Sequence, residues 1–262
     1  GKLDGLGTVR LVFQPAEEGG AGAKRMVEEG ALKQAPPVDR MFGMHLWPTL
    51  PSGSIGGRAG TILAASDKFE ITITGKGGHA AMPHISIDPV VTACAAVTAL
   101  QTLVSREISP LDSAVLSVTT MNTGGNAYNV IPEQVKLGGT IRSLTEVGIN
   151  KLRQRVVEVV SKVAEAHNCE LSHSLFAPDY YPPTVNDEAL WESFVAPQVS
   201  AAGELMEVPP TLAGEDFSFF AKEVPSAFLL LGQGSGGGSV DGTGDGVSPD
   251  TNFGLHHPRF AI

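Results

Sequence analysis

Between Phe69 and Leu175 the spacing of apolar residues switches repeatedly between the period of a strand and that of a helix, and the order of the switches leaves few folds open. Phe69, Ile71 and Ile73 alternate with Glu70, Thr72 and Thr74, as in a strand with one wet face. Val90, Cys94, Val97, Leu100 and Val104 then recur at helical spacing after Asp88-Pro89, which suits a cap and a first helical position. Strand-like runs follow at Ala114 to Met121 and Val135 to Arg142. In the second, Val135, Leu137 and Ile141 face one way while Lys136, Thr140 and Arg142 face the other. Leu152, Val156, Val159, Val160 and Val163 mark another helix, after which Cys169, Leu171 and Leu175 alternate again. Strand, helix, strand, strand, helix, strand is the split βαβ order of a ferredoxin-like unit, two helices on one face of a four-stranded antiparallel sheet. We bound this unit at residues 68–178.

The flanking segments read as an α/β layer. Val9 to Phe13 is a short β-branched run that breaks at Gln14-Pro15 and passes through Ala16-Glu17-Glu18 into the turn Gly19-Gly20, which predicts strand, loop, helix. The helix runs from Ala21 to Glu29 and closes at Gly30, and a second strand, Met41 to Met44, ends at His45. After the punctuation Tyr180-Tyr181-Pro182-Pro183 the pattern resumes, with Phe228 to Leu231 as a fully buried strand. The expected fold is therefore α/β in two domains: an α/β sheet domain of residues 1–67 and 179–262, interrupted by the inserted ferredoxin-like unit. Gln233 to Asp250, rich in Gly and Ser, is expected to be a mobile surface loop.

Composition narrows the partners. The chain has 262 residues with 18 Lys and Arg against 28 Asp and Glu, a formal charge of −10 that repels phosphate backbones, so nucleic acid is not expected. No run of about 18 consecutive apolar residues occurs, so no membrane span is expected and the protein reads as soluble. Gly1-Lys2-Leu3-Asp4 offers no Met, basic segment or apolar targeting core, so the sequence reads as starting past any leader and leaves the compartment unassigned. Cys94 and Cys169 are too few for a disulfide framework and read as core residues.

The residues with most chemical promise lie at the ends of elements. Glu17 and Glu18 sit between a strand and a glycine turn, where a chain reversal can aim adjacent carboxylates at one point. Beyond the carboxyl ends of strands ligands collect in open parallel sheets, and His45 is expected there too. A carboxylate with imidazoles, His45 and His256, is the donor set of zinc or manganese sites. Against this, two acids near a helix start are also favoured by its dipole, and a single His is commonly a packing residue.

The segments Gln14-Pro15-Ala16-Glu17-Glu18-Gly19-Gly20-Ala21-Gly22-Ala23, Gly43-Met44-His45, Gly77-Gly78-His79-Ala80 and Leu255-His256-His257-Pro258, in that order, decide between these readings. The set resembles the M20 metallopeptidase family, and within it the amidohydrolase branch of plant hydrolases of indole-acetic-acid amino-acid conjugates, hippurate hydrolases and N-acyl-amino-acid aminoacylases. The resemblance runs through nearly the whole chain. It implies a catalytic α/β domain carrying two divalent metal ions, zinc or manganese first and cobalt or nickel next, with residues 68–178 as a lid that also forms a homodimer interface. By the same resemblance Glu17 is the general base, and Glu18, His45 and His256 are metal ligands. His79 polarises the scissile carbonyl in the neighbouring subunit's site, while Asn129 and Arg142 grip the substrate carboxylate. The implied substrate is a small N-acyl amino acid, and the compartment stays unassigned between the cytoplasm and, for a plant-like protein, the lumen of the endoplasmic reticulum.

Each residue type suits its role. Metal coordination lowers the pKa of water toward ~7, and a carboxylate off the metals can collect its proton and deliver it to the leaving nitrogen. An oxyanion needs a donor aimed at it, as His79 would be, and the planar fork of Arg142 matches a carboxylate better than a Lys would. His257 rivals His256 as ligand, but His256 directly follows the apolar Leu255 as in the family. Glu215 and Asp216 in Gly214-Glu215-Asp216-Phe217-Ser218 match another family motif near the metals, as outer support or equally as a helix cap. His84 has no assigned role, His173 reads as packed, and His167 as a helix-end residue.

Members of the family also carry a Cys-x-His ligand segment upstream of the Glu-Glu pair, and this chain begins after it. Neither Cys94 nor Cys169 has a His two residues later. Glu18, His45 and His256 are fewer ligands than a two-metal centre needs, so the chain alone is expected to bind metal poorly and to turn over little substrate. Two other readings stand beside the amidohydrolase: a non-catalytic dimerisation or binding module without a complete metal centre, and a dipeptidase of the same family.

Overall fold

The structure, a computed structural model, describes residues 7–177 and 180–234. The chain divides into two compact units, Gly1–Ala64 with Tyr181–Ile262, and Ala65–Tyr180. His256, His257 and the loop beyond Gly234 lie outside the described residues, as does the side chain of His173.

The first unit opens with α1 (Gly22–Glu28), β1 (Met41–Pro51), β2 (Ser54–Gly57) and β3 (Gly60–Leu63). The second holds β4 (Ala65–Thr74), β5 (Gly78–His79), α2 (Pro89–Thr102), β6 (Ala114–Asn122), β7 (Val130–Ile131), β8 (Gln134–Ser143), α3 (Glu146–Ala166) and β9 (Glu170–Phe176). The first unit then resumes with β10 (Thr184–Asn186), α4 (Glu188–Leu190), α5 (Ala196–Ala202), β11 (Glu204–Glu207), α6 (Ser218–Ala221) and β12 (Ser226–Gly234).

The sheet of the first unit runs β1-β12-β2-β11, with β1 parallel to β12, β12 antiparallel to β2 and β2 parallel to β11. Alternate residues of β12 serve opposite faces. Phe228 and Leu230 join Trp47, Leu50, Phe217 and Phe220 in one core, while Ala227 joins Trp191, Val195 and Val199 in another. A strand covered on both sides explains the unbroken apolar run Phe228 to Leu231, although Leu229 and Leu231 are only half-buried. Asn186 pins β12 from β10: its side chain donates to the carbonyls of Arg58 and Phe228 and accepts from the Phe228 amide.

Two expectations for this unit are corrected. The strand after Met41 does not end at His45; it continues to Pro51, because its ladder with β12 carries on past that residue. Val9 to Phe13 forms no ladder among the described residues. Val9, Leu11 and Phe13 are 79%, 76% and 86% exposed, so the local β propensity is real but finds no partner edge here.

The second unit has the ferredoxin-like order. Its sheet runs β6-β8-β4-β9, every neighbouring pair antiparallel. Phe69, Ile71, Ile73, Val135, Leu137 and Ile141 meet α2 and α3 on one face. Asp88 caps α2 by accepting from the amides of Val90 and Val91, and Thr145 caps α3 through the amide of Gly148. The fully buried stripe of α2 is Thr92, Ala93, Ala96 and Leu100, of which Leu100 was expected. Small side chains let that helix lie close to its neighbours; Val90 and Val97 flank the core and Cys94 is exposed, whereas Cys169 is buried as expected. By length and composition Pro89–Glu107 would pass for a membrane span, yet here its buried stripe belongs to the core of this unit.

Asp67 joins the two ends of the unit. Its buried carboxylate accepts from the amides of Lys68 at 2.7 Å and Ala177 at 3.2 Å, and Arg153 pairs with it at 3.3 Å. The Arg153 guanidinium in turn lies over the rings of Phe176 and Tyr180. Burial pushes the Asp67 pKa up, and Arg153 opposes that rise.

Candidate active site

Glu17 and Glu18 sit on a loop that doubles back between Gln14 and α1. The amide of Gly20 donates to the Ala16 carbonyl at 3.0 Å. A Cβ on Gly22 would fall 1.7 Å from the Pro15 carbonyl oxygen, so glycine is required where the two arms of the loop touch. Ala16 and Ala21 take φ of 55° and 49°, left-handed backbone that costs an L residue about 1 kcal/mol or more each. Such geometry persists only where the surroundings hold it.

Two side chains from the far half of the unit reach this loop. Asp216 accepts from the Ala23 amide at 3.0 Å and from the Gln14 side-chain amide, gripping both arms. It thereby supplies the cap that Ala21, which makes no side-chain cap bond, does not give α1. The Tyr181 hydroxyl accepts from the amides of Gly19 at 2.9 Å and Ala21 at 3.4 Å and donates to the carbonyl of Glu17.

The turn that bears Asp216 is seated on β1. A Cβ on Gly43 would lie 2.7 Å from the Phe217 ring, so the bare glycine is what lets Phe217 pack there. His45, two residues on, shares that face of β1. Its Nδ1 lies 2.7 Å from the Leu46 carbonyl, which can only accept, so the ring proton sits on Nδ1 and the Nε2 lone pair is left for another partner. Metal-binding imidazoles are commonly oriented in this way.

Oxygens of Glu17, Glu215 and Asp216 lie within 4.8 Å of one another. Glu215 and Asp216 are buried, while Glu17 is half-buried and Glu18 exposed. Burial pushes the Glu215 carboxyl up to about 7; the Phe217 amide opposes this, and the charges of Glu17 and Asp216 add to it. Asp216 is also pushed up by burial, against the pull of the Ala23 amide and Gln14. Three carboxylates at this range could hold one cation, but both oxygens of Asp216 and Oε1 of Glu215 already accept protein donors.

In the second unit two of the predicted residues come together. His79 on β5 pairs with Val130 on β7, and the Ala80 amide donates to the Asn129 carbonyl at 2.9 Å. Both His79 and Asn129 are exposed. The Ala81 amide donates to His79 Nδ1 at 3.1 Å, so the neutral ring carries its proton on Nε2 and presents an N–H donor. Arg142 stands on β8 opposite Ser66 of β4, half-buried, with burial lowering its pKa.

Sequence reasoning reached Glu17, Glu18 and the Glu215-Asp216 pair through their motifs. It treated Tyr181 as punctuation and gave Gln14 no separate role. Tyr181 acts at a sequence separation of over 160 residues, and the only local sign was a Tyr held by two prolines next to a short strand.

The model of peptidase family M20/M25/M40 matches residues 2–245. IAA-amino acid hydrolase ILR1-like 2 of Arabidopsis thaliana is 49% identical over 230 residues, covering 86% of this chain and 51% of that protein. N-acetyl-L-cysteine deacetylase of Bacillus subtilis (strain 168) is 36% identical over 256 residues, covering 98% and 56%. Among solved structures, the Bacillus subtilis YXEP protein, a dinuclear metal binding peptidase from the M20 family, superposes with a TM-score of 0.66 at 29% identity, covering 84% of this chain and 54% of that one. The chain spans about half the length of the curated relatives it matches. Since the family model covers nearly the whole chain, this chain belongs to peptidase family M20/M25/M40.

Proposed function

We propose that the chain is the scaffold of a metal-dependent amidohydrolase that splits an N-acyl amino acid into a carboxylic acid and a free amino acid. The observation that carries the reading is the Glu17–Glu18 turn, held in left-handed backbone and backed by buried Glu215 and Asp216. The relatives support the substrate class: one is named for hydrolysis of an amino-acid conjugate and another for deacetylation of an N-acetyl amino acid.

Glu18, His45 and His256 would hold the divalent ions, zinc or manganese before cobalt or nickel. The donor chemistry fits, because the proton on His45 Nδ1 leaves Nε2 as a ligand and Glu18 is an exposed carboxylate beside the base. Bound metal would supply a Lewis acid and water ionised near neutral pH. Glu17 takes the proton of the attacking water and passes it to the leaving nitrogen, which requires that Glu17 stay off the metals. With its carboxyl pushed up to about 7 by burial, Glu215 is partly protonated near neutral pH, which lessens the charge crowded beside Glu17. His79 Nε2–H donates to the developing oxyanion, and Asn129 and Arg142 hold the substrate carboxylate. Homodimer formation through residues 68–178 is supported by the outer edges of β6 and β9, which pair with no further strand among the described residues.

The test is hydrolysis by the full gene product containing this chain, with N-acyl amino acids and dipeptides side by side. Turnover of N-acyl amino acids and a Glu17→Gln loss of at least about 100-fold in kcat are expected. Wild-type turnover by that variant would remove Glu17 from the reaction, and preference for dipeptides would move the chain to the dipeptidase reading.

A further inference from the structure

Tyr181 has no part in the chemistry above, yet its hydroxyl bonds to the loop that carries the base. One oxygen atom touches three backbone groups within five residues: it accepts from the amides of Gly19 and Ala21 and donates to the carbonyl of Glu17. Glu17 is thus fixed at its own carbonyl, and the carbonyl orientation sets the backbone torsion from which its side chain departs. The two amides lie on the far side of the turn, between left-handed Gly19 and left-handed Ala21. Asp216 grips the arms at Gln14 and Ala23, while the Gly19 amide to the Glu17 carbonyl and the Gly20 amide to the Ala16 carbonyl close the centre of the reversal, which the phenol braces from outside.

The phenol itself is firmly carried. Its ring meets Phe219 of α6 edge-on, with centroids 6.1 Å apart and planes at 82°. Pro182 and Pro183 follow, then β10, where Thr184 and Asn186 are buried and paired. A side chain mounted on a proline pair and a pinned strand loses little freedom when it bonds, which is what a fixed reference for a loop requires.

We propose that Tyr181 is a positioning residue for the general base, its hydroxyl locking the Glu17–Gly19–Ala21 reversal so that the Glu17 carboxylate keeps its attitude to the substrate. The proposal rests on the reading of Glu17 as base. Tyr181→Phe is the informative variant, since it keeps the ring against Phe219 and removes only the hydroxyl. In the full gene product we expect kcat for an N-acetyl amino acid to fall about 10- to 100-fold with KM within about twofold. We also expect amide exchange at Gly19 and Ala21 to quicken by about 10-fold or more while the Leu230 amide of β12 is unchanged. Unaltered exchange at Gly19 and Ala21 overturns the lock. Faster exchange with unaltered kcat overturns its bearing on the base, as does a rise in KM alone. Failure of the wild type to hydrolyse any N-acyl amino acid would defeat the reading of Glu17 instead, and the exchange measurement would still decide whether the hydroxyl holds the turn.

Discussion

Glu215 shows how far burial can move a single residue. Its carboxyl titrates at about 7 in the fold against an ordinary 4.5, because water is excluded and because Glu17 and Asp216 stand close. A folded pKa above the unfolded one means that the native state binds the proton more tightly, so this residue favours the fold below pH 4.5 and the benefit is lost as pH rises through 7. In chelator-treated protein, urea unfolding at pH 5 and pH 8 should therefore differ between wild type and Glu215→Gln. The wild type is expected to lose up to about 3 kcal/mol more than the variant across that interval. Equal pH dependence of the two proteins would contradict the environment assigned to Glu215. The residue types of the site were legible because Glu17-Glu18 and Glu215-Asp216 stand in short motifs. The roles of Tyr181 and Gln14 were not, because they consist of hydrogen bonds across more than 160 residues to backbone atoms and to Asp216, which no local pattern encodes.

At the level of elements, periodicity worked where an element's neighbours lie nearby in the chain. The ferredoxin-like unit was readable because β4 and β8 alternate and because Asp88 marks the start of α2. In α2 Leu100 is buried as expected and Val90 and Val97, with Val104 just beyond the helix, flank the same core, but Cys94 is exposed, because close helix packing gave the innermost positions to the small Ala93 and Ala96. Val9 to Phe13 has strand propensity, but a strand also needs an edge to pair with, and propensity alone does not provide one. The ends of the second unit depend on a buried ion pair that the sequence did not announce. Arg153→Leu would leave the Asp67 carboxylate buried without its counter-charge while it still accepts the Lys68 and Ala177 amides. We expect a loss of about 3 kcal/mol in denaturant unfolding. An effect under about 1 kcal/mol would show that solvent, rather than Arg153, balances Asp67.

Over the whole molecule, the Glu-Glu turn and the β1 histidine belong to one compact unit, and His79, Asn129 and Arg142 belong to the other. The apolar periods bound the expected insertion at residues 68–178, and the second compact unit of the structure spans Ala65–Tyr180. The long-range arrangement of the site was not legible in the sequence, since it depends on Phe217 packing against bare Gly43 and on Asp216 reaching α1. The central claim is that these residues serve metal-dependent hydrolysis of an amide. Its most direct test is hydrolysis of an N-acyl amino acid by the full gene product, before chelation, after chelation, and after stepwise return of zinc or manganese. The account predicts that chelation abolishes turnover and that activity returns in proportion to metal bound; turnover that survives complete removal of metal would contradict it.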